Sequence, residues 1–173
     1  MTATVSPKEI ELEFDFGSRV CRKLDGEGGN DFRLLKRVDF VVEEEDRLLL
    51  VEVKDPSKST STASPEEIAE WGTFGKLKTC LHERVVPQAR GAYCYLHLME
   101  EDSKPMDLVW VIGLERVSFD QKLLGPVLDE LRRRLRKEGE TPWRRQYIRE
   151  AYVTPVADFS RFFAPYTVTR VEP

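Results

Sequence analysis

Arg37-Val38-Asp39-Phe40-Val41-Val42, an acidic turn, and then Leu48-Leu49-Leu50-Val51-Glu52-Val53-Lys54 form the stretch that decides the fold. Both halves are rich in β-branched and aliphatic residues, the composition of strands covered on two faces. Strand side chains alternate between faces, so Glu52 and Lys54 point the same way as Leu50, while Leu49, Val51 and Val53 point the other way. A hairpin folded about Glu45-Asp46 sets Asp39 directly opposite Glu52. Opposed residues lie about 4.5–5.5 Å apart at Cβ, close enough for two carboxylates to hold one cation. Without a cation the two charges repel, and a carboxylate and an ammonium inside an apolar strand are costly unless paired or bound. The plainer alternative is a Glu52–Lys54 or Asp39–Lys54 pair on the surface of an edge hairpin.

Asp39 followed by Glu52-Val53-Lys54 at the end of a hydrophobic strand resembles the PD-(D/E)XK motif of restriction-endonuclease-like nucleases. The resemblance rests on one hairpin of sixteen residues, from 39 to 54, with Arg37-Val38 in the place of the proline-bearing lead-in. It implies an α/β fold, a restriction-endonuclease-like sandwich with a central mixed β-sheet flanked by helices. It also implies a Mg²⁺- or Mn²⁺-dependent nuclease that hydrolyses DNA phosphodiester bonds, in a defence, restriction or repair setting. On this reading Asp39, Glu52 and Lys54 are catalytic, and Asp39, Glu52 and the backbone carbonyl of Val53 are the metal ligands. Mg²⁺ keeps several waters, so two carboxylates and a carbonyl are a sufficient protein contribution. Related nucleases often carry a further acid upstream, a place that Glu9, Glu11 or Glu13 could fill. Gln88 and Tyr93 resemble the glutamine–tyrosine pair of the RecB-like branch, at a spacing one residue longer. Two rival readings remain: a catalytically inactive domain of this fold acting as a binding or assembly module, and a small-molecule or nucleotide-binding α/β domain. The second lacks a glycine-rich loop between strand and helix.

Length and composition bound the rest. The chain has 173 residues, enough for one domain spanning 1–173 with its own core. No apolar run approaches the roughly 18 residues that cross a bilayer, and residues 1–8 lack the apolar core of a signal peptide. Cys21, Cys80 and Cys94 are widely spaced with no paired framework, so a reducing cytoplasm is the expected setting. Cys80 with His82, and Cys94 with His97, lack zinc spacing and read as small buried cysteines. The net charge is −4, yet from Leu131 to Glu150 eight bases face three acids, whereas Met1 to Asp55 carries fourteen acids and nine bases. That split suits a DNA partner, and it equally suits a solvated helix face.

The remaining segments give the expected order of elements. Glu9 to Phe16 alternates strictly and predicts a strand with Ile10, Leu12, Phe14 and Phe16 inward. Gly26 to Asn30 reads as a flexible turn. Phe32 to Val42 and Arg47 to Lys54 form the hairpin, and Asp55 to Ser64 is a small-residue loop, either a linker or a segment that orders over substrate. Ser64-Pro65-Glu66-Glu67 starts a helix that turns Ile68, Trp71 and Phe74 inward. Leu77 to Met99 continues as a helix broken near Pro87, on which Arg90 faces either a phosphate or water. Asp107 to Leu114 is a buried strand, and Gln121 to Glu138 an amphipathic helix with Leu124, Val127, Leu128, Leu131 and Leu135 as its apolar stripe. A strand over 148–156, a helical turn over 158–163 and a strand over 166–171 complete one mixed sheet. Trp143, Tyr147 and Tyr152 are either core or a contact patch for a homodimer or partner protein.

Overall fold

The computed structural model describes residues 8–25 and 35–171, and the glycine-rich stretch read as a turn, Gly26 to Asn30, lies outside them. Strand β1 (Lys8–Glu9) turns back through Ile10 into β2 (Leu12–Asp15), followed by β3 (Val20–Lys23), β4 (Phe40–Glu43) and β5 (Leu48–Lys54). Helix α1 (Pro65–Glu70) leads into α2 (Phe74–Cys80), a π-helical turn over Leu81–Val85, and α3 (Val86–Leu98). Then come β6 (Met106–Ile112), α4 (Leu124–Arg136), β7 (Glu150–Pro155), α5 (Val156–Phe162) and β8 (Thr167–Arg170).

The strands divide into two sheets, not the one mixed sheet that the element order suggests. A five-stranded mixed sheet runs β3-β4-β5-β6-β7, and a three-stranded antiparallel sheet runs β1-β2-β8. β4 is antiparallel to β5, while β5, β6 and β7 are mutually parallel, joined by crossovers through α1–α3 and through α4. Each face of the large sheet has its own core. Leu50, Leu108, Trp110 and Ile112 meet Leu81, Ala89, Leu96, Val127 and Leu131 of the helical layer. Leu49, Val51, Val53, Val109 and Val111 meet Leu12, Phe14, Phe159 and Phe163 of the small sheet and α5. Within this second core Phe14 lies 5.6 Å from both Phe40 and Phe159, ring centre to ring centre.

Several local expectations change for physical reasons. Strict alternation over Glu9–Phe16 fails at Ile10, whose φ of +57° turns the chain between β1 and β2. Ile10 is left exposed and Glu11 is buried instead, although Leu12, Phe14 and Phe16 are inward as expected. β4 begins only at Phe40, so the described part of the predicted strand before it is irregular. The Ser64 cap and its capping box with Glu67 form as the sequence indicates. Ile68, Trp71 and Phe74 are only half-buried, against the rim of the helical core. The expected break near Pro87 takes the form of the π turn just before it: proline has no N–H to give to the preceding turn, and the ladder widens there. Tyr147 belongs to the helical-side core and Tyr152 packs against the opposite one, so with exposed Trp143 they form no single patch.

The loop after β5 is anchored. Ser57 is buried, donates its hydroxyl to the Gly113 carbonyl (2.8 Å) and accepts the Arg116 N–H (3.0 Å). Glu11 accepts from the Ser59 N–H (2.8 Å), the Ser59 hydroxyl (2.7 Å) and the Thr60 N–H (3.1 Å), and these bonds hold its carboxyl down at about 2. Asp55 is bound by the Arg170 guanidinium at 2.8 and 2.9 Å, tying the same loop to β8.

Candidate active site

The site lies where β4 begins and β5 ends, an arrangement dictated by antiparallel pairing. Phe40 pairs with Val51 and Glu43 with Leu48, and Glu44 N–H donates to the Arg47 carbonyl (3.0 Å) across the Glu45-Asp46 turn. One step beyond Phe40–Val51, the same register sets Asp39 opposite Glu52. Asp39 Oδ2 accepts the Val53 N–H at 2.6 Å, which fixes the carboxyl against the end of β5. The Leu24 N–H donates to the Asp39 carbonyl at 2.9 Å and braces the segment from its other side.

Asp39, Glu52 and Lys54 therefore converge. Glu52 is fully buried and Asp39 is 4 % exposed. The Lys54 ammonium donates to Glu52 Oε1 and to the Val53 carbonyl (3.2 Å). A single cation thus already bridges Glu52 and the Val53 carbonyl, two of the three ligands read from the sequence. Glu52 Oε2 is buried and has no hydrogen-bond partner, an arrangement that costs free energy unless something binds there. Trp110, register partner of Glu52 on β6, likewise leaves its indole N–H buried without an acceptor.

Electrostatics match this geometry. Burial pushes the Asp39 carboxyl up to about 6, against the opposing effect of the Val53 N–H. Burial, reinforced by the neighbouring Asp39 charge, raises Glu52 well above the usual carboxylate range. Burial pulls Lys54 down, but the Glu52 carboxylate outweighs it and holds the ammonium above its ordinary value. Two acids whose ionisation is disfavoured and one ammonium held charged form a site short of positive charge, the condition that a divalent ion relieves. Asp39, Glu52 and the Val53 carbonyl are hard oxygen donors of the kind Mg²⁺ and Mn²⁺ accept. Among the described residues there is no group of three or more Asp, Glu, His or Cys side chains poised as ligands, so such an ion would rest on these two carboxylates, the carbonyl and water.

Lys54 forms part of the wall of an open cleft of 570 Å³. Lys36, Arg37, Lys76 and Arg84 also line it, with Trp71, Gln88, Cys80, Asp25 and Glu83. Arg37 lies over the Tyr95 ring at 4.7 Å, and the Arg37 carbonyl accepts from Gln88 Nε2 (3.3 Å). Burial raises the Cys80 thiol to about 11, so the cysteine beside Lys54 is a neutral wall residue.

Other candidates lie elsewhere. Gln88 reaches the cleft, but Tyr93 does not line it: its hydroxyl accepts from Arg145 (3.3 Å) and its ring stacks on His97. Arg90 pairs with the exposed Glu138 and lies over the Trp143 ring, partly exposed and outside the lining of this cleft. Much of the basic run from 131 to 150 is consumed in pairs: Arg132 with Glu150, Arg133 and Arg134 with Glu130, Arg149 with Asp107. His82 bonds to Glu130 and His97 to Asp102, apart from the cysteines. Of the upstream acids, Glu11 serves the loop, whereas Glu9, paired with Lys23, acts on Asp39 by its charge. Asp25 acts on both Asp39 and Glu52. The sequence offers no motif for Asp25, Lys36, Lys76 or Arg84, which reach the cleft from separate elements.

No family model, curated protein or solved structure matches this chain. No helix among the described residues is long and apolar enough to cross a membrane.

Proposed function

We propose that this chain is a metal-dependent nuclease of the PD-(D/E)XK type that hydrolyses DNA phosphodiester bonds at Asp39, Glu52 and Lys54. The observation that carries the reading is the convergence of the buried Glu52 carboxylate and the Val53 carbonyl on the Lys54 ammonium, with the buried Asp39 carboxylate held beside them by the Val53 N–H, at the edge of a cleft with five cationic side chains and two acids in its lining. Asp39, Glu52 and the Val53 carbonyl would hold Mg²⁺ or Mn²⁺, which when bound polarises a phosphate and acidifies a coordinated water. The protein's own contributions follow from its side chains. The Asp39 carboxylate, tethered by the Val53 N–H, keeps an anionic oxygen fixed at the junction of β4 and β5. Lys54 brings a compact ammonium to the cleft, suited to orienting a water or neutralising charge that develops on the phosphate. The apolar cores on both faces of β5 exclude bulk water from behind the site and strengthen these charges.

The test is cleavage of plasmid and single-stranded DNA by purified protein with millimolar Mg²⁺ or Mn²⁺. Wild type is expected to cut, and Asp39→Asn, Glu52→Gln and Lys54→Ala each to lose at least about a hundredfold, the scale of removing one electrostatic contributor. Equal cutting by wild type and Lys54→Ala, or equal cutting with EDTA, refutes the assignment.

One observation favours a second reading, a non-catalytic binding or assembly module: Lys54 already neutralises Glu52, and the carboxylates are shut away from solvent. Calorimetry separates the two, since heat of Mn²⁺ binding that vanishes in Glu52→Gln belongs only to the enzyme.

A further inference from the structure

We infer that the cleft beside Lys54 takes a single-stranded segment of nucleic acid and does not admit a duplex, an inference that rests on the nuclease reading and names its substrate class. The argument begins with access. Asp39 and Glu52 are buried, and Lys54 of the same cluster lines the cleft, so a scissile phosphate reaches them from there. A cleft of 570 Å³ falls in the size range of pockets that take one small ligand, far below the volume of a stretch of double helix. A nucleotide from one strand, with its base turned out of any stack, fits such a space.

The lining suits that occupant in two further respects. The Lys36 and Arg84 side chains are exposed and make no hydrogen bond or ion pair with any described residue, and the Lys76 side chain makes a partly exposed pair with Glu70 (3.2 Å). Cations at a cleft wall with no ion-pair partner among the described residues are what a phosphate backbone needs. Trp71 ends α1, half-buried, with its ring both on the rim of the helical core and in the cleft lining. An indole beside three cations is a platform for base stacking, which tolerates any base because every base has a π face. Arg84 comes from the π turn that Pro87 enforces, and this turn carries it to the same cleft as Trp71.

Binding is tested without metal, so that it is read independently of cutting. Fluorescence anisotropy in EDTA compares a labelled oligothymidylate, and a duplex of the same length, against wild type, Trp71→Ala, Trp71→Phe and Arg84→Glu. Wild type is expected to bind the single strand at least tenfold more tightly than the duplex. Trp71→Ala and Arg84→Glu should each weaken binding about tenfold, and Trp71→Phe should stay within about threefold of wild type because stacking survives. Arg84 is exposed, so its reversal decides the matter even if Trp71→Ala fails to fold. Duplex bound as tightly as single strand, or Arg84→Glu bound like wild type, overturns the inference. Tight single-strand binding without cutting in Mg²⁺ would leave this inference standing and remove the nuclease. Cutting of DNA with no preference for single strands would do the reverse.

Discussion

Asp39 sits where ionisation is costly, with a second carboxylate opposite it and almost no exposure to solvent. Its carboxyl titrates near 6 in the folded chain against an ordinary 3.8, so the native state holds the proton more tightly than the unfolded state. The stabilisation attached to that proton is complete below about pH 4 and is lost as pH rises through 6. Asp39→Asn should therefore stabilise the protein in EDTA at pH 7.5, by about 1–3 kcal/mol, while abolishing Mn²⁺ binding. Paired urea melts and calorimetry check this, and a destabilised variant that still binds Mn²⁺ would contradict it. The same shift links metal binding to protons: Mn²⁺ affinity should rise with pH through about 6, because the ion must displace the Asp39 proton. Affinity already flat between pH 5 and 7 would show that Asp39 is not a ligand. This residue-scale logic was legible in the sequence, because a two-residue turn and the period of a strand suffice to place Asp39 opposite Glu52 and Lys54 beside it. What could not be read there is the depth of burial, which depends on helices and a second sheet far along the chain.

At the scale of elements, the site is held by what packs behind it. Gly91 on α3 lets the helix press against the irregular segment leading to Asp39, and a Cβ at this position would lie 1.8 Å from the Lys36 carbonyl oxygen. Gly91→Ala must push that backbone away, at a cost of about 1–3 kcal/mol, and should weaken Mn²⁺ binding through Asp39. Unchanged melting and metal affinity would show that this contact positions nothing. Ser57 does comparable service after β5, where one buried hydroxyl satisfies both the Gly113 carbonyl and the Arg116 N–H. Ser57→Ala strands both and should cost about 1–3 kcal/mol in a urea melt, whereas a loss within error would mean the loop is not anchored there. Such contacts explain the misread segments. The small polar residues of Asp55–Ser64 look like a linker, because nothing nearby in sequence reveals that Glu11, Gly113 and Arg170 bind them. Ile10 breaks the alternation of its strand through a positive φ that its residue type disfavours.

At the scale of the molecule, a net charge of −4 conceals a local excess of cations around one cleft. The basic run at 131–150 draws the eye in the sequence, yet its arginines are largely paired with Glu130, Asp107 and Glu150. The cations of the cleft come instead from the lead-in to β4, from α2 and from the π turn, brought together by crossovers that no linear pattern displays. If Lys36, Lys76 and Arg84 each meet a phosphate, log K for single-stranded DNA should fall with log salt at a slope of about −2, and reversing Arg84 should lower its magnitude by about 0.7. A slope near zero would place the nucleic acid, if bound at all, somewhere else. The two-sheet architecture serves the same cleft, since the small sheet and α5 cover one face of β5 while the cleft opens among the helices at the end of the other.

The most direct measurement is anomalous diffraction from a crystal of the wild-type protein soaked in Mn²⁺. The expected result is one strong peak between Asp39, Glu52 and the Val53 carbonyl, with the Lys54 ammonium displaced from Glu52. A map without that peak, in which Lys54 still caps Glu52 at a Mn²⁺ concentration that supports nucleases, would contradict the account at its centre.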